Sequence, residues 1–194
     1  MIDKKEFLII RKELSEFDEK RELIIKKSRD ILKNSKAAIY SVHRNELKEA
    51  YLLIQSAKKD ISGIKAQISK DRFLETIGAF NSALEEYCEA VCYYGFIKSG
   101  RIPGKKAVGV DGEVYLLGIC DLTGELTRKA VASSIKGDYS FVMKIKNVVE
   151  DIYSEFLKFN LRNSALRKKS DSIKWNLQKI EDVVYDLRIR GMIK

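Results

Sequence analysis

DKKEFLIIRKELSEFDEKRELIIKKSRDILKNSKAAIY, residues 3–40, contains neither glycine nor proline. Its apolar residues recur at helical spacing: Phe7, Ile10, Leu14, Phe17, then Leu23, Ile24 and Ile31. Steps of three and four place side chains on one face of a helix, whereas a half-buried strand would alternate. The stretch therefore reads as one long amphipathic helix, with Asp3 placed to cap its first free amides.

The rest of the chain repeats this pattern. A second helix is expected from about Asn45 to Ser69, with Leu47, Ala50, Leu53, Ile54, Ala57, Ile61 and Ile64 facing inward. A third is expected from Asp71 to about Lys98, and its end, AVCYYGFI, is apolar on nearly every side and so should be buried. Glycines then gather around Pro103, the single proline, with Arg101, Lys105 and Lys106 between them; this is the one clear loop. Further helices follow from about Glu113 to Lys136, from Tyr139 to Asn160 with Asp138 as cap, and from Asn163 to Arg190 before Gly191. No segment alternates like a strand. The expected fold is all-α: one domain over 1–194, an antiparallel bundle of six or seven helices.

Hydrophobic residues make up 45% of the chain, enough for a continuous core. Lysine and arginine number 37 against 28 acidic residues, a net charge of +9 that favours anionic partners. The longest apolar run, Ala90 to Ile97, is too short to span a bilayer, and the N-terminus lacks the apolar run of a signal peptide. A cytoplasmic protein with no membrane partner is expected. Cys88, Cys92 and Cys120 form no CxxC pattern and lie among apolar residues, which reads as buried free thiols.

Two helices carry acids on otherwise apolar ground. In LEEYCEAVCYY, Glu86 and Glu89 are three apart; in YLLGICDLTGELTR, Asp121 and Glu125 are four apart. Each pair shares a helical face. Glycine costs a helix interior about 1 kcal/mol relative to alanine, so Gly118 and Gly124 beside the second pair suggest close approach by a helix or ligand. Carboxylates brought together repel and call for a cation. Oxygen-only ligands suit Mg2+ or Mn2+, which can activate water and neutralise charge on a phosphodiester. The plainer alternative is that these acids are surface partners of Arg128 and Lys129. His43, the only histidine, reads as a solvated turn residue in SVHRNE. No Walker loop, GxGxxG or Ser-His-Asp set occurs.

Several of these segments resemble the translin/Trax family. SRDILKNSKAAIYSVHR, EEYCEAV and YLLGICDLTGELTR are similar to segments of Trax, and LRKKSDSIKWNLQKIEDVVYDLRIRG is closer to translin. The resemblance spans nearly the whole chain, in order. It implies that Glu86, Glu89, Asp121 and Glu125 stand at the catalytic, metal-binding positions of Trax, with Mg2+ or Mn2+ as cofactor. It further implies a metal-dependent endoribonuclease acting on single-stranded RNA and leaving 5′-phosphate and 3′-hydroxyl ends. Single-stranded DNA is a further ligand, and the assembly is a closed homo-oligomer, an octamer by that likeness. The alternative is a non-catalytic nucleic-acid-binding scaffold of the translin type. The basic candidates for phosphate contact are Arg101, Lys105 and Lys106 in the loop, Arg128, and Arg188, Arg190 and Lys194 at the C-terminal end. The long first helix and the last helix each carry more apolar surface than one domain can hide, with Leu161, Leu166, Ile173, Trp175, Leu177, Ile180, Val183, Val184 and Leu187 crowding the last, which points to an interface.

Overall fold

The computed structural model of the chain describes residues 2–69, 71, 74, 77–162 and 164–193. Among them are seven helices and no strand: α1 (Lys4–His43), α2 (Leu47–Ile68), α3 (Gly78–Ser99), α4 (Lys105–Val108), α5 (Gly112–Ile135), α6 (Tyr139–Phe156) and α7 (Ala165–Ile189). The all-α reading holds. α4 is a single turn within the expected basic loop. No described helix is long and apolar enough to cross a membrane.

The helix ends follow from particular residues. Asp3 caps α1 by accepting from the amides of Lys5 and Glu6. Asp138 caps α6 by accepting from Phe141, and Ser164 caps α7 by accepting from Arg167. The second helix begins at Leu47 rather than Asn45, because Asn45 takes φ 66°, a left-handed conformation that no helix continues through. The third begins at Gly78 rather than Asp71. Leu74, in the lead-in, is buried and does the packing there without belonging to the helix.

α3 is central. α1 packs on α2 and on α3, while α5 packs on α3, α6 and α7. α5 returns alongside α3 in the opposite direction. Cys92 Sγ reaches the Pro103 carbonyl and Cys88 Sγ the Tyr115 carbonyl, each at 3.8 Å. The predicted burial of the α3 end is borne out: Cys92, Tyr93 and Phe96 are fully or almost fully enclosed. All three cysteines are buried free thiols.

α1 divides into two halves. From Ile24 onward, Ile24, Ser28, Ile31, Ser35, Ala38 and Val42 form a buried stripe at helical spacing. Before it, Phe7, Leu8, Ile10 and Leu14 are exposed. The cause is length: at about 1.5 Å per residue, the 40 residues of α1 reach about 60 Å and the 22 of α2 about 33 Å. The first turns of α1 outrun the helices that would cover them. The last helix behaves otherwise than expected. Leu166, Ile173, Leu177, Ile180 and Leu187 go into the chain's own core, and of the crowded residues only Trp175 is largely exposed. Its inner face is therefore spent inside the domain, while Trp175, Tyr185 and Ile189 on α7 stay exposed, as do the first turns of α1.

Candidate functional site: a carboxylate pocket between three helices

The positions flanking the acids on α3, namely Leu84, Tyr87, Cys88 and Ala90, are buried. The helix is thereby held in the middle of the bundle, and its acids are carried in with it. Glu86 is half-buried and Glu89 is only 7% exposed. On α5 the approach is closer still: a Cβ at Gly118 would lie 2.8 Å from Cys88 Cβ and Sγ and 3.1 Å from the Glu85 carbonyl oxygen. Gly118 is thus the point at which α5 presses against α3, which fits the close approach expected there. Gly124 meets only Asn176 of α7, at an ordinary 3.8 Å, so its glycine answers no steric demand.

This packing brings the four predicted acids into one electrostatic neighbourhood. The Glu89 carboxyl is pushed up to about 9, first by burial and then by Asp121, Glu86 and Glu125. Glu86 is raised by burial, with Lys36 of α1 opposing and Asp121 and Glu125 adding to the shift. Asp121 is raised by burial, against the pull of Lys169. Glu89 forms no hydrogen bond with any other described side chain, and only the more distant Lys169 opposes the shift.

The α5 acids, by contrast, have internal partners. Lys169, on the second turn of α7, places Nζ 2.6 Å from Asp121 Oδ2 and 3.1 Å from Glu85 Oε2. It ties α3, α5 and α7 at one point. Glu125 accepts from His43 Nε2 and lies 3.7 Å from Arg128. Tyr93 Oη lies 3.1 Å from His43 Nδ1. A neutral imidazole that donates from Nε2 must accept at Nδ1, so Tyr93 donates its hydroxyl proton there. Burial, and next Glu125, hold the Tyr93 hydroxyl well above its ordinary range, which keeps that proton in place. Arg128 also lies over the Tyr40 ring, 5.1 Å from its centroid.

Two residues of this site escaped sequence reasoning, and one expectation is corrected. His43 is no solvated turn residue. It ends α1, and its side chain is 11% exposed against Glu125. Glu85 and Lys169 are likewise part of the site. Lys129, considered as a partner of the acids, is lowered by burial and by Lys136, and its acidic influence is Asp138 rather than the pocket.

The donor set, carboxylate oxygens alone, suits a hard cation such as Mg2+ or Mn2+. Burial raises Glu86, Glu89 and Asp121 alike, and neighbouring acids add to it: Asp121 and Glu125 for Glu86, those two and Glu86 for Glu89, and Glu85 for Asp121. As the side chains stand, however, no group of three His, Cys, Asp or Glu residues among those described is arranged to hold a metal ion. The reason is visible in the pairing: Lys169 draws Asp121 toward Glu85, and His43 holds Glu125.

The basic candidates divide by position. Arg128 stands at the pocket. Arg101, Lys105 and Lys106 are exposed at the α3–α5 turn. They lie beyond the start of α5 at Gly112, about 14 Å along the axis from Asp121. Arg188 and Arg190 are exposed at the far end of α7, about 28 Å along that helix from Lys169. Lys194 lies outside the described residues.

Fold and site together define an all-helical bundle with a half-buried group of carboxylates between α3 and α5. The Translin family model matches residues 19–191. Translin of Gallus gallus is 46% identical over 85 residues, 44% of this chain and 37% of that protein. The chain thus aligns with little more than a third of that relative's length. Translin-associated protein X of Pongo abelii is 26% identical over 226 residues, covering 95% of this chain and 78% of that protein. The crystal structure of apo-NeC3PO superimposes with a TM-score of 0.86 at 31% identity, covering 95% of this chain and 97% of that one. The AfC3PO–duplex RNA complex gives a TM-score of 0.86 at 24% identity, covering 97% and 100%, a likeness of fold. The chain belongs to the translin family.

Proposed function

We propose that this chain is a metal-dependent endoribonuclease that cuts single-stranded RNA as a closed homo-oligomer, with Glu86, Glu89, Asp121 and Glu125 as its metal-binding and catalytic acids. The observation that carries this reading is Glu89: a carboxyl buried beside other acids, raised to about 9, and without a hydrogen bond to any described side chain. Burying such a group costs stability unless a ligand repays it. Bound there, Mg2+ or Mn2+ would supply an activated water and offset charge on the phosphodiester. The chain's own residues do the rest. α3 and α5 hold the acids at fixed separation through the Gly118 contact, and the His43–Tyr93 pair fixes the orientation of Glu125. Arg128 stands beside Glu125, placed to meet a phosphate.

Nucleic-acid binding has the support of the net charge of +9 and of the fold shared with AfC3PO, which is known in complex with duplex RNA. Self-association has the support of the exposed apolar turn of α1, including Phe7, Leu8 and Leu14, which one copy leaves uncovered. A second reading, a non-catalytic scaffold of the translin type, draws on the ion pairs that Lys169 and His43 already make with two of the acids.

The experiment that separates the two readings is cleavage of a 5′-labelled RNA, single-stranded and duplex, with Mg2+, with Mn2+ and with EDTA, alongside light scattering of the same preparation. The expected result is metal-dependent cutting of the single strand by a species of octamer mass. RNA binding without cleavage under every metal condition establishes the scaffold instead.

A further inference from the structure

Lys169 stands apart from the other cations of the pocket. Arg128 and Lys36 approach the acids from the helices that already line them, but Lys169 comes from α7, and it contacts two carboxylates at once. One of these, Asp121, belongs to the proposed metal-binding set. The other, Glu85, does not: it lies one residue before Glu86 and is turned toward α7. The ammonium therefore occupies the anionic gap between α3 and α5 that a cation would seek. Its side chain is 31% exposed, so it has room to move, and Asp121 is 30% exposed on the same side.

We infer that Lys169 is a resident cation that yields Asp121 to a divalent metal ion and remains anchored on Glu85, its freed N–H groups turned toward an RNA phosphate. The inference deepens the metal-dependent reading above and rests on it. Three features carry it. The Lys169–Asp121 contact, at 2.6 Å, is the shorter of the pair, so the ammonium charge sits against the carboxylate that a divalent cation would take, and two cations there repel. The Glu85 contact, at 3.1 Å, gives the ammonium a second anchor, so release from Asp121 does not strand a charge. An ammonium has three donors, so one can stay on Glu85 while the others meet an anionic oxygen. The exchange also accounts for the spread of the described acids, with Asp121 held by Lys169. Metal and Lys169 then compete for one carboxylate, and the coupling between them is reciprocal.

The test is Mn2+ binding to the full chain without RNA, followed by electron paramagnetic resonance, in the wild type, Lys169→Met and Lys169→Arg. Cleavage of single-stranded RNA is measured in parallel. Methionine keeps the length of the stem and removes the charge. Lys169→Met is expected to bind Mn2+ at least about fivefold more tightly than the wild type. Its kcat is expected to fall about a hundredfold despite the tighter metal, because the phosphate contact is gone. Lys169→Arg keeps the charge and is expected to recover much of that loss while binding Mn2+ like the wild type. Equal Mn2+ affinity in wild type and Lys169→Met overturns the competition while leaving the metal site standing. Binding in neither protein overturns the metal site and the competition together. An unchanged kcat in a variant that binds Mn2+ more tightly overturns the phosphate contact. Thermal melts of all three proteins identify any variant that does not fold, and the arginine protein then carries the comparison.

Discussion

The two acid pairs each share a helical face, three residues apart on α3 and four apart on α5, and they meet opposite circumstances. Asp121 and Glu125 on α5 each meet an internal cation or donor, Lys169 for one and His43 with Arg128 for the other. Glu86 and Glu89 on α3 have no such contact, and burial leaves Glu89 raised to about 9. A shared face alone would make the pairs equivalent. What separates them is the partner opposite: α7 brings Lys169 to Asp121 and the end of α1 brings His43 to Glu125, whereas Glu86 and Glu89 feel Lys36 and Lys169 only through the field, without a hydrogen bond among the described residues. The fold thus gives the α5 acids hydrogen-bonded partners and leaves the α3 pair without one among the described residues.

The largest expected effect tests whether the pairs act as one. Asp121→Ala and Glu86→Ala each remove one acid, from α5 and from α3. If both helices serve one cation, each should lower cleavage of single-stranded RNA at least about a hundredfold, with RNA affinity by fluorescence polarisation unchanged or tighter. Losing a carboxylate deletes a ligand but also a negative charge facing phosphate. Full activity in both variants, at wild-type metal dependence, would remove the pocket from the chemistry.

A smaller effect concerns what holds the pairs in register. Gly118→Ala drives a methyl to 2.8 Å from Cys88 Cβ and Sγ and toward the Glu85 carbonyl. Overpacking of that kind costs about 1–3 kcal/mol. Gly124→Ala meets nothing closer than 3.8 Å and should gain stability by about 0.5–1 kcal/mol, the helix preference for alanine. Chemical denaturation should therefore move the two midpoints in opposite directions. Movement the same way would mean that the α3–α5 approach is not the constraint the geometry indicates.

The smallest effect is a slope. Glu89 has an ordinary value of 4.5 and about 9 in the folded chain, so folding favours its protonated form. A group raised in this way contributes fully below about 4.5, and its contribution is lost as pH rises through about 9. Glu89→Gln keeps the shape of the neutral carboxyl and cannot ionise. Its Tm, measured in EDTA, should exceed that of the wild type by at least about 3 °C at pH 9, with little difference at pH 5. Asp121→Asn should show no such gain, because it surrenders the Lys169 contact. Parallel pH curves for Glu89→Gln and the wild type would erase the distinction between the pairs.

Much of the molecule was legible before any coordinate. Helical periodicity unbroken by glycine or proline specifies helices, because the backbone hydrogen bonds that define them are local. Thus residues 3–40 announced α1, Asp3 and Asp138 announced their caps, and the glycine cluster announced the loop. The acids stood out as acids on apolar faces. The apolar excess of α1 was legible as well, but not which turns would stay exposed, since that depends on where α2 stops. The apolar crowd on α7 was misread for a related reason: whether a face is spent inside the domain depends on which helices lie against it.

The sequence by itself determined the helices, the acid pairs on them and the basic excess, all properties of residues near one another along the chain. The tertiary structure alone decided which charges meet. His43 lies 82 residues from Glu125, and Lys169 lies 48 residues from Asp121. No periodicity links such positions. They are joined by the packing of α1 and α7 around α3 and α5, and an acid's charge state follows from burial and partners at a few ångströms, which a one-dimensional pattern does not contain.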